Sequence, residues 1–159
     1  AVAAAGRYAG AVNLQSSFSL LDRAAAADAF AICGRHGVAF SAFSPLAGGW
    51  LTGKYRAGLP YPTGSRMTLR PEPYASFTSG STYQMIEELA RMALARGLSL
   101  PTMALAWVIN DPGVTAAIIG PRTPDQMAAA CDAIDVTMDP GEHAALADVA
   151  DRHDMSRPA

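Results

Sequence analysis

Three short β-rich segments, separated by stretches with helical periodicity, restrict the folds open to this chain more than any other feature. We predict strands at 11–16 (AVNLQS), 38–44 (VAFSAFS) and 114–120 (VTAAIIG). The third segment is apolar throughout, as expected for a strand covered on both faces. Strands that alternate with helices form right-handed parallel βαβ units. The sequence therefore predicts an α/β fold.

Apolar residues at helical spacing predict the helices. Ala26, Phe30 and Cys33 share one face of the first complete helix, and Gly37 is placed to end it. The other predicted helices, two of which begin at capping sequences, lie at 1–9, 81–97, 101–110, 123–134 and from 139 onward. About 25 residues after the second predicted strand show no clear period, and a loop of that length is typically functional or mobile.

Composition limits the classes of protein to consider. The 159 residues are enough for one domain with a core, and we see no linker, so we predict a single domain over 1–159. The net charge is −2 without blocks of like charge, which argues against nucleic acid or an anionic membrane as partner. No apolar run reaches the roughly 18 residues that span a bilayer.

Cysteine and histidine are few. Cys33 and Cys131 fall on apolar helical stripes, so we predict two buried thiols in a reducing cytoplasm. His36, His143 and His153 show no metal-ligand spacing, and we predict all three at the surface.

Polar and glycine-rich segments follow each predicted strand, at 15–19, 44–54 and 120–126. In parallel α/β folds, ligands bind at the carboxyl ends of the strands. If the three strands are neighbours, these segments meet at one rim.

Two of the segments suit phosphate. In 44–49 (SPLAGG), the glycines let a phosphate approach backbone N–H groups, and Lys54 adds a positive charge. Arg122 stands at a predicted helix N-terminus, which also favours anions. The alternatives are a turn that merely reverses the chain and a helix cap with a solvated arginine.

The remaining segment, which follows the first strand, suits a flat ring that carries an amide. Gln15 can bind a carboxamide, and Phe18 can stack on a flat ring. The alternative is a surface Gln and a buried Phe.

Taken together, these residues resemble the C-terminal half of the aldo-keto reductases. The matching pieces, in the family's order and over nearly the whole chain, are LQSSFSLLDR, FSPLAGGWLTGKYR, GSR at 64–66, MALAWVIND and IIGPRTPDQM. The chain most resembles the branch that includes potassium-channel β-subunits and bacterial reductases with an LLDR sequence. The resemblance implies a partial TIM (α/β)8 barrel with about three parallel strands, barrel strands 6–8. It also implies NADPH as cofactor and a small carbonyl compound as substrate.

The family's binding residues transfer position by position as expectations. Gln15 would hold the nicotinamide carboxamide, and Phe18 would stand where the family has a Tyr stacked on the nicotinamide. The residues expected to hold the pyrophosphate are Ser44, Leu46, Ala47, Gly49 and Lys54. Arg66 would lie in a loop that covers it. The residues expected at the adenosine end are Gly120, Arg122 and Gln126, with Arg122 on the 2′-phosphate, which favours NADPH over NADH.

The chain departs from the family in two respects. Ala129 and Ala130 stand where the family has Glu-Asn on adenine, and two lost hydrogen bonds predict about tenfold weaker binding. The family's Asp-Tyr-Lys-His catalytic residues come from earlier strands, and its nicotinamide-binding Ser-Asn pair is missing as well. The only lysine here is Lys54, so we assign no catalytic residue to this chain. Without an initiator Met, we expect the sequence to begin partway into a longer protein.

Three functions stay open at this stage. The chain is the NADPH-binding part of a carbonyl reductase whose catalytic half lies upstream or on another chain. Alternatively, it is a truncated, non-catalytic half-barrel that binds a nucleotide or a partner, or an unrelated phosphate-binding α/β protein. Three strands leave two unpaired sheet edges, which predict self-association or aggregation of the chain expressed alone.

Overall fold

A computed structural model describes residues 10–153, apart from the side chain of Ala25. Its elements, in chain order, are β1 (Asn13–Ser17), α1 (Ala24–His36), β2 (Ala39–Phe43), α2 (Arg66–Leu69), α3 (Gly80–Ala95), α4 (Leu100–Ile109), β3 (Ala116–Ile118), α5 (Pro124–Ile134) and α6 (Pro140–His153). Short 3₁₀ segments at Ala47–Thr52 and Glu72–Phe77 flank α2. The predicted order of strands and major helices is confirmed over this range; the helix predicted at 1–9 lies outside it.

The three strands form one parallel sheet in the order β1-β2-β3. Gln15 pairs with Ser41 in β2, and Phe43 at the end of β2 pairs with Ser17 on one side and Ile118 on the other. The predicted α/β class and parallel sheet are therefore confirmed. All three strands present their carboxyl ends at the same rim.

The two faces of the sheet differ in burial, because successive side chains of a strand point to opposite sides. Phe40 and Ala42 are fully buried on the helix-covered face. Phe43 and Ile118 lie on the opposite face and are 41% and 43% exposed. The prediction that the third strand is covered on both faces is wrong, since no described element packs on this second face, which we call the open face.

The core lies between the sheet and the helices. Trp107 of α4 is buried, as predicted, and its ring lies 5.0 Å from that of Phe18. Phe30 of α1 completes this group, with its ring centroid 4.7 Å from that of Phe40. Every residue of α4 from Thr102 to Val108 is buried, which confirms a helix covered on several sides.

Local capping explains where the helices begin and end. Gly37 and Gly97 follow α1 and α3 with φ of 62° and 70°, a left-handed conformation that glycine adopts without steric cost. Thr123 Oγ1 accepts the backbone N–H of Gln126 at 3.3 Å, and Asp139 Oδ1 accepts that of Glu142 at 2.9 Å. The predicted starts of α5 and α6 are thus confirmed.

The segment between β2 and α3 is more ordered than its sequence suggests. Its short helical turns are too brief to produce a visible period. Trp50 is fully buried, and its ring contacts the rings of Tyr55, Tyr61, Phe77 and Tyr83. Burial raises the pKa of the Tyr83 hydroxyl to about 12, and a hydrogen bond with Tyr61 adds to the shift. These aromatic contacts anchor the segment to α3.

The predicted burial of both cysteines is only half right, and the predicted surface position holds for one histidine of three. Cys33 is buried, but Cys131 is exposed. Helix α5 packs on α4 through the small side chains of Ala130 and Ala133, so the stripe that contains Cys131 faces outward.

Among the histidines, His36 is exposed, as predicted. The other two are half-buried: the His143 ring stacks on Trp107 at 4.7 Å and His153 Nε2 lies 3.0 Å from Glu88 Oε2.

Over residues 10–153, no single helix has both the length and the apolar composition to cross a membrane. Helices α3 and α4 have the required length and apolar composition only when taken together, and the two are bent by 90° relative to each other.

Candidate functional site

A cavity of about 760 Å³ opens where β2 and β3 end. Its walls are the turn after β2, the segment leading to α3, the start of α4 and the first turns of α5. Of the predicted binding residues, those that line the cavity are Ser44, Leu46, Gly49, Lys54, Arg66, Gly120, Arg122 and Gln126. The structure thus brings the segments after the second and third strands together at one site.

The turn after β2 is built from left-handed backbone. Ser44 and Ala47 have φ of 55° and 48°, and Gly48 and Gly49 have φ of 64° and 95°. Non-glycine residues in this region cost about 1–3 kcal/mol each, and such strain clusters at functional sites. Tyr55 stabilises the turn by donating from its hydroxyl to the Gly48 carbonyl at 3.1 Å.

Close approach also requires glycine at position 48, whereas the neighbour of Gly49 is the flexible end of a lysine. A Cβ atom at Gly48 would lie 2.6 Å from the Tyr74 ring, and one at Gly49 would lie 2.5 Å from Lys54 Nζ. A side chain at either position would therefore displace its neighbour. The result is a stretch of bare backbone that faces the cavity beside a lysine.

Two hydrogen bonds hold the segment 53–79 across the cavity mouth. The hydroxyls of Tyr74 and Ser44 lie 3.3 Å apart, at the end of β2. On the β3 side, Arg122 Nη1 donates to the Gly64 carbonyl at 3.2 Å. The segment therefore spans the ends of both strands.

Positive charge predominates in the cavity lining. Lys54, Arg66 and Arg122 line it together with one carboxylate, that of Asp125. The ion pairs among residues 10–153 involve none of these three cations. Arg122 donates to the carbonyl of Gly64, two residues before Arg66, whereas Lys54 lies against Gly49. The cavity thus offers anions a cation beside the glycine turn and another beside the start of α5.

The start of α5 differs in detail from the predicted capping box. Thr123 accepts the N–H of Gln126, as a box requires. The Gln126 side chain, however, accepts the backbone N–H of Arg122 at 2.8 Å and not that of Thr123. This bond positions the backbone of Arg122 at the cavity edge.

Three predicted residues do not line the cavity. Phe18 is 3% exposed and packs against Phe30, Phe40 and Trp107 on the helix-covered face. The expectation that its ring stacks on a cofactor is wrong for this structure, because the core encloses it. Ala47 is buried beneath the turn. Gln15 is exposed on the open face of β1, outside the cavity wall.

Phe43 is the aromatic residue that the sequence analysis missed. It lines the cavity and lies on the open face, the same face as Gln15, because the β1–β2 register pairs Gln15 with Ser41 and Ser17 with Phe43. The alternation along β2 carried this signal, since Phe40 and Phe43 must face opposite sides. Tyr74 was missed as well, and no periodicity in its segment marks it.

Taken together, the groups that line the cavity are chemically suited to an elongated anion. Bare backbone, three cations and one exposed aromatic ring can hold phosphate groups and a flat ring. Among the described residues, no group of three His, Cys, Asp or Glu side chains is arranged to hold a metal ion.

Comparison with known proteins agrees with this description. The sequence pattern of the Aldo/keto reductase family matches residues 2–151. Over 133 residues the chain is 34% identical to the uncharacterized oxidoreductase YrpG of Bacillus subtilis, covering 84% of this chain and 38% of that protein. Over 100 residues it is 36% identical to the L-glyceraldehyde 3-phosphate reductase of Escherichia coli K12, covering 58% and 27%.

A further relative is a probable voltage-gated potassium channel subunit beta of Arabidopsis thaliana, 33% identical over 64% of this chain and 31% of that protein. The chain thus spans well under half the length of these relatives. Among solved structures, the glycerol dehydrogenase AKR11B4 of Gluconobacter oxydans matches with a TM-score of 0.75 at 24% identity, over 92% of this chain and 44% of that one. This match supports the fold, a partial barrel as predicted. The chain belongs to the aldo/keto reductase family of oxidoreductases.

Proposed function

We propose that this chain is the cofactor-binding half of an aldo-keto reductase barrel and that it binds NADPH in the cavity at the strand ends. The complete protein would reduce the carbonyl group of a small aldehyde or ketone in the cytoplasm. The observation that carries the proposal is the convergence on one cavity of the glycine turn and three cations that form no ion pair within residues 10–153.

The pyrophosphate would bind at the turn after β2. Gly48 and Gly49 leave backbone exposed there, and Lys54 Nζ lies close to Gly49. Backbone N–H groups and an ammonium are suitable partners for phosphate oxygens. Ala47 would shape the turn rather than contact the phosphate, since its side chain is buried and its N–H donates to the Ser44 carbonyl at 2.8 Å.

The 2′-phosphate would bind at the other cationic position. Arg122 lies next to the start of α5 and donates to the carbonyl of Gly64, two residues before Arg66, and both arginines line the cavity. A guanidinium binds phosphate through two parallel hydrogen bonds, an interaction that the 2′-hydroxyl of NADH cannot replace. We therefore propose NADPH as the preferred cofactor, with NADH binding more weakly.

The nicotinamide would lie toward the open face of the sheet. Phe43 offers its ring to the cavity there, and Gln15 is exposed on the same face. When bound, NADPH supplies the hydride for carbonyl reduction. The residues of this chain would bind and orient the cofactor, and we assign none of them a catalytic role.

The name of one relative indicates a class of substrate. L-glyceraldehyde 3-phosphate reductase is named for a small aldehyde, and it is 36% identical to this chain over the matched residues. We propose a small aldehyde or ketone as substrate on this basis.

A second candidate function is a half-barrel that binds nucleotide or a partner without turnover. The open face and the two outer strands of the sheet favour it, because both would be available to a partner. The third possibility considered above, an unrelated phosphate-binding protein, is wrong because the family match covers almost the whole chain.

Titration with NADPH tests the proposal directly. Trp50 is buried in the turn that would hold the pyrophosphate, so binding is expected to change its fluorescence. We also expect a higher melting temperature with NADPH than with an equal concentration of NADH. Arg35→Ala, on an exposed part of α1, serves as the control and should bind like the unmodified chain. If neither nucleotide changes fluorescence or melting temperature, the proposal is wrong.

A further inference from the structure

The cavity has an apolar wall where α4 meets α5. Pro101 and Leu105 of α4 face Ala129 and Ala130 of α5 across it. Leu46 packs against the same cluster of side chains. This part of the cavity, which we call the apolar wall, therefore presents carbon atoms from five side chains.

Polar groups next to the apolar wall already have partners. Thr102 Oγ1 donates to the Ala129 carbonyl at 3.2 Å, and Thr52 Oγ1 donates to the Gly49 carbonyl at 2.8 Å. Gln126 Oε1 accepts the backbone N–H of Arg122. The hydroxyl protons of Thr102 and Thr52 are therefore committed within the protein and are not available as donors to the edge of a bound ring.

The apolar wall and the cations divide the cavity by chemistry. Lys54, Arg66 and Arg122 suit the phosphates of a dinucleotide, and the apolar wall suits the flat face of an aromatic base. Contact with a ring face does not depend on which donors and acceptors lie on the ring edge, because every purine has a similar face. Discrimination between bases requires hydrogen bonds to that edge.

We propose that the apolar wall binds the purine base of the dinucleotide by face contact alone, so that the site does not distinguish adenine from other purines. This inference rests on the proposed function and adds a specificity to it. Phosphate contacts would supply most of the affinity, and the base would contribute by burying apolar area.

Asp125 and the amide nitrogen of Gln126 are the groups that argue most directly against this proposal. Both residues line the cavity one helical turn before Ala129 and Ala130. If either one hydrogen-bonds the base edge, adenine will be preferred. A comparison of purine dinucleotides therefore separates edge recognition from face contact.

The test compares NADPH with reduced nicotinamide hypoxanthine dinucleotide phosphate, in which a carbonyl oxygen replaces the exocyclic amine of adenine. The 159-residue chain is titrated with each, and tryptophan fluorescence is followed. We expect dissociation constants that agree within about threefold, since no edge hydrogen bond is lost. A preference for NADPH of about tenfold or more would overturn the inference.

Two alanine variants sharpen this comparison. Ala130→Asn places an amide on the apolar wall, and we expect it to create a preference of about threefold or more for one of the two purines. Ala128→Asn makes the same change on an exposed position of α5 outside the cavity and should leave the two affinities equal. Circular dichroism of both variants checks that α5 remains folded. Equal affinities in the Ala130→Asn variant would show that the base lies elsewhere and would contradict the inference.

The possible outcomes also separate this inference from the proposed function. If NADPH binds and the hypoxanthine analogue binds much more weakly, the proposed function stands and face recognition is wrong. If neither nucleotide binds, the proposed function itself is wrong.

Discussion

The hydroxyl of Tyr74 lies 3.3 Å from that of Ser44, and the ring of Tyr74 covers the backbone of Gly48. A residue far along the segment between β2 and α3 is thereby tied to the residue that ends β2. The segment and the glycine turn consequently form one structural unit, in which a change to either part should affect the other.

Gly48→Ala tests this unit. The new methyl group would lie 2.6 Å from the Tyr74 ring, and the alanine would have to adopt the φ of 64° that Gly48 has. We expect a loss of about 1–3 kcal/mol in the free energy of unfolding and at least a tenfold loss of NADPH affinity. Gly58→Ala is a matched control. Gly58 has a φ of 73° and open space around it, so this substitution adds backbone strain without a steric contact. Equal effects on NADPH affinity in both variants would contradict the role of Tyr74.

The two cationic positions should affect the two nucleotides differently. We expect Arg122→Ala to lower NADPH affinity about tenfold and NADH affinity by no more than about twofold, because only NADPH carries the 2′-phosphate. Lys54→Ala should lower both affinities to a similar degree, because both nucleotides share the pyrophosphate. Isothermal titration calorimetry measures the four constants. An equal loss for both nucleotides in Arg122→Ala would show that this side chain does not bind the 2′-phosphate.

We expect substitution of Phe18 to lower the stability of the fold and substitution of Phe43 to weaken nucleotide binding. Phe18 lies among aromatic rings in the core, so Phe18→Ala is expected to cost about 3–5 kcal/mol in the free energy of unfolding. Phe43 is 41% exposed, so Phe43→Ala should change stability little but weaken NADPH binding about fivefold through the lost ring contact. Urea unfolding and nucleotide titration of both variants distinguish the two roles. Weaker binding in a fully folded Phe18→Ala variant would reverse this assignment.

Glu88 links α3 to the end of α6 and should make stability depend on pH in acid. A hydrogen bond from His153, with further contributions from Arg152, holds the pKa of Glu88 below its ordinary value of 4.5. Because the folded-state pKa is the lower one, the stabilisation is present above pH 4.5 and is lost as pH falls through the folded-state value.

Urea unfolding of Glu88→Gln checks this sign. The variant should be less stable than the unmodified chain at pH 7, and the difference should vanish in strong acid. Glu87→Gln removes an exposed neighbouring carboxylate outside the ion pairs described above and should differ little at either pH. If Glu88→Gln lowers the stability by the same amount at pH 7 and in strong acid, the charge of the carboxylate is not the cause of the loss.

Within residues 10–153, the outer sides of β1 and β3 have no partner strand, which predicts self-association of the chain expressed alone. Sedimentation velocity should show species larger than a monomer, increasing with concentration. A monodisperse monomer with a single cooperative melting transition would contradict this prediction.

The sequence predicts the architecture well, because long-range order follows from local periodicity. Strand positions, the parallel sheet and most helix ends depend on short signals such as Gly37 and the capping threonine at 123. The turn at 44–49 lines the cavity, as its glycines suggested, and its role in binding stays a prediction. What failed was the assignment of faces: Phe18 was placed in the site and Phe43 was not, because resemblance located an aromatic residue without considering the alternation along each strand.

Helix α5 shows a second physical limit. Its larger apolar residues, Met127, Cys131 and Ile134, follow the helical period, and on that basis Cys131 was predicted to be buried. In the structure, small residues form the contact with α4 and the larger ones are exposed. Small side chains allow two helices to approach closely, and hydrophobicity alone does not reveal that preference.

The shared direction of β1 and β3 also determines what can complete this sheet. Both outer strands run the same way, and an added strand parallel to either one must return through a crossover connection. A simple hairpin reverses direction, so it cannot extend both sides in parallel. Any segment that extends this sheet in parallel with two or more adjacent strands of its own must therefore connect those strands by a crossover.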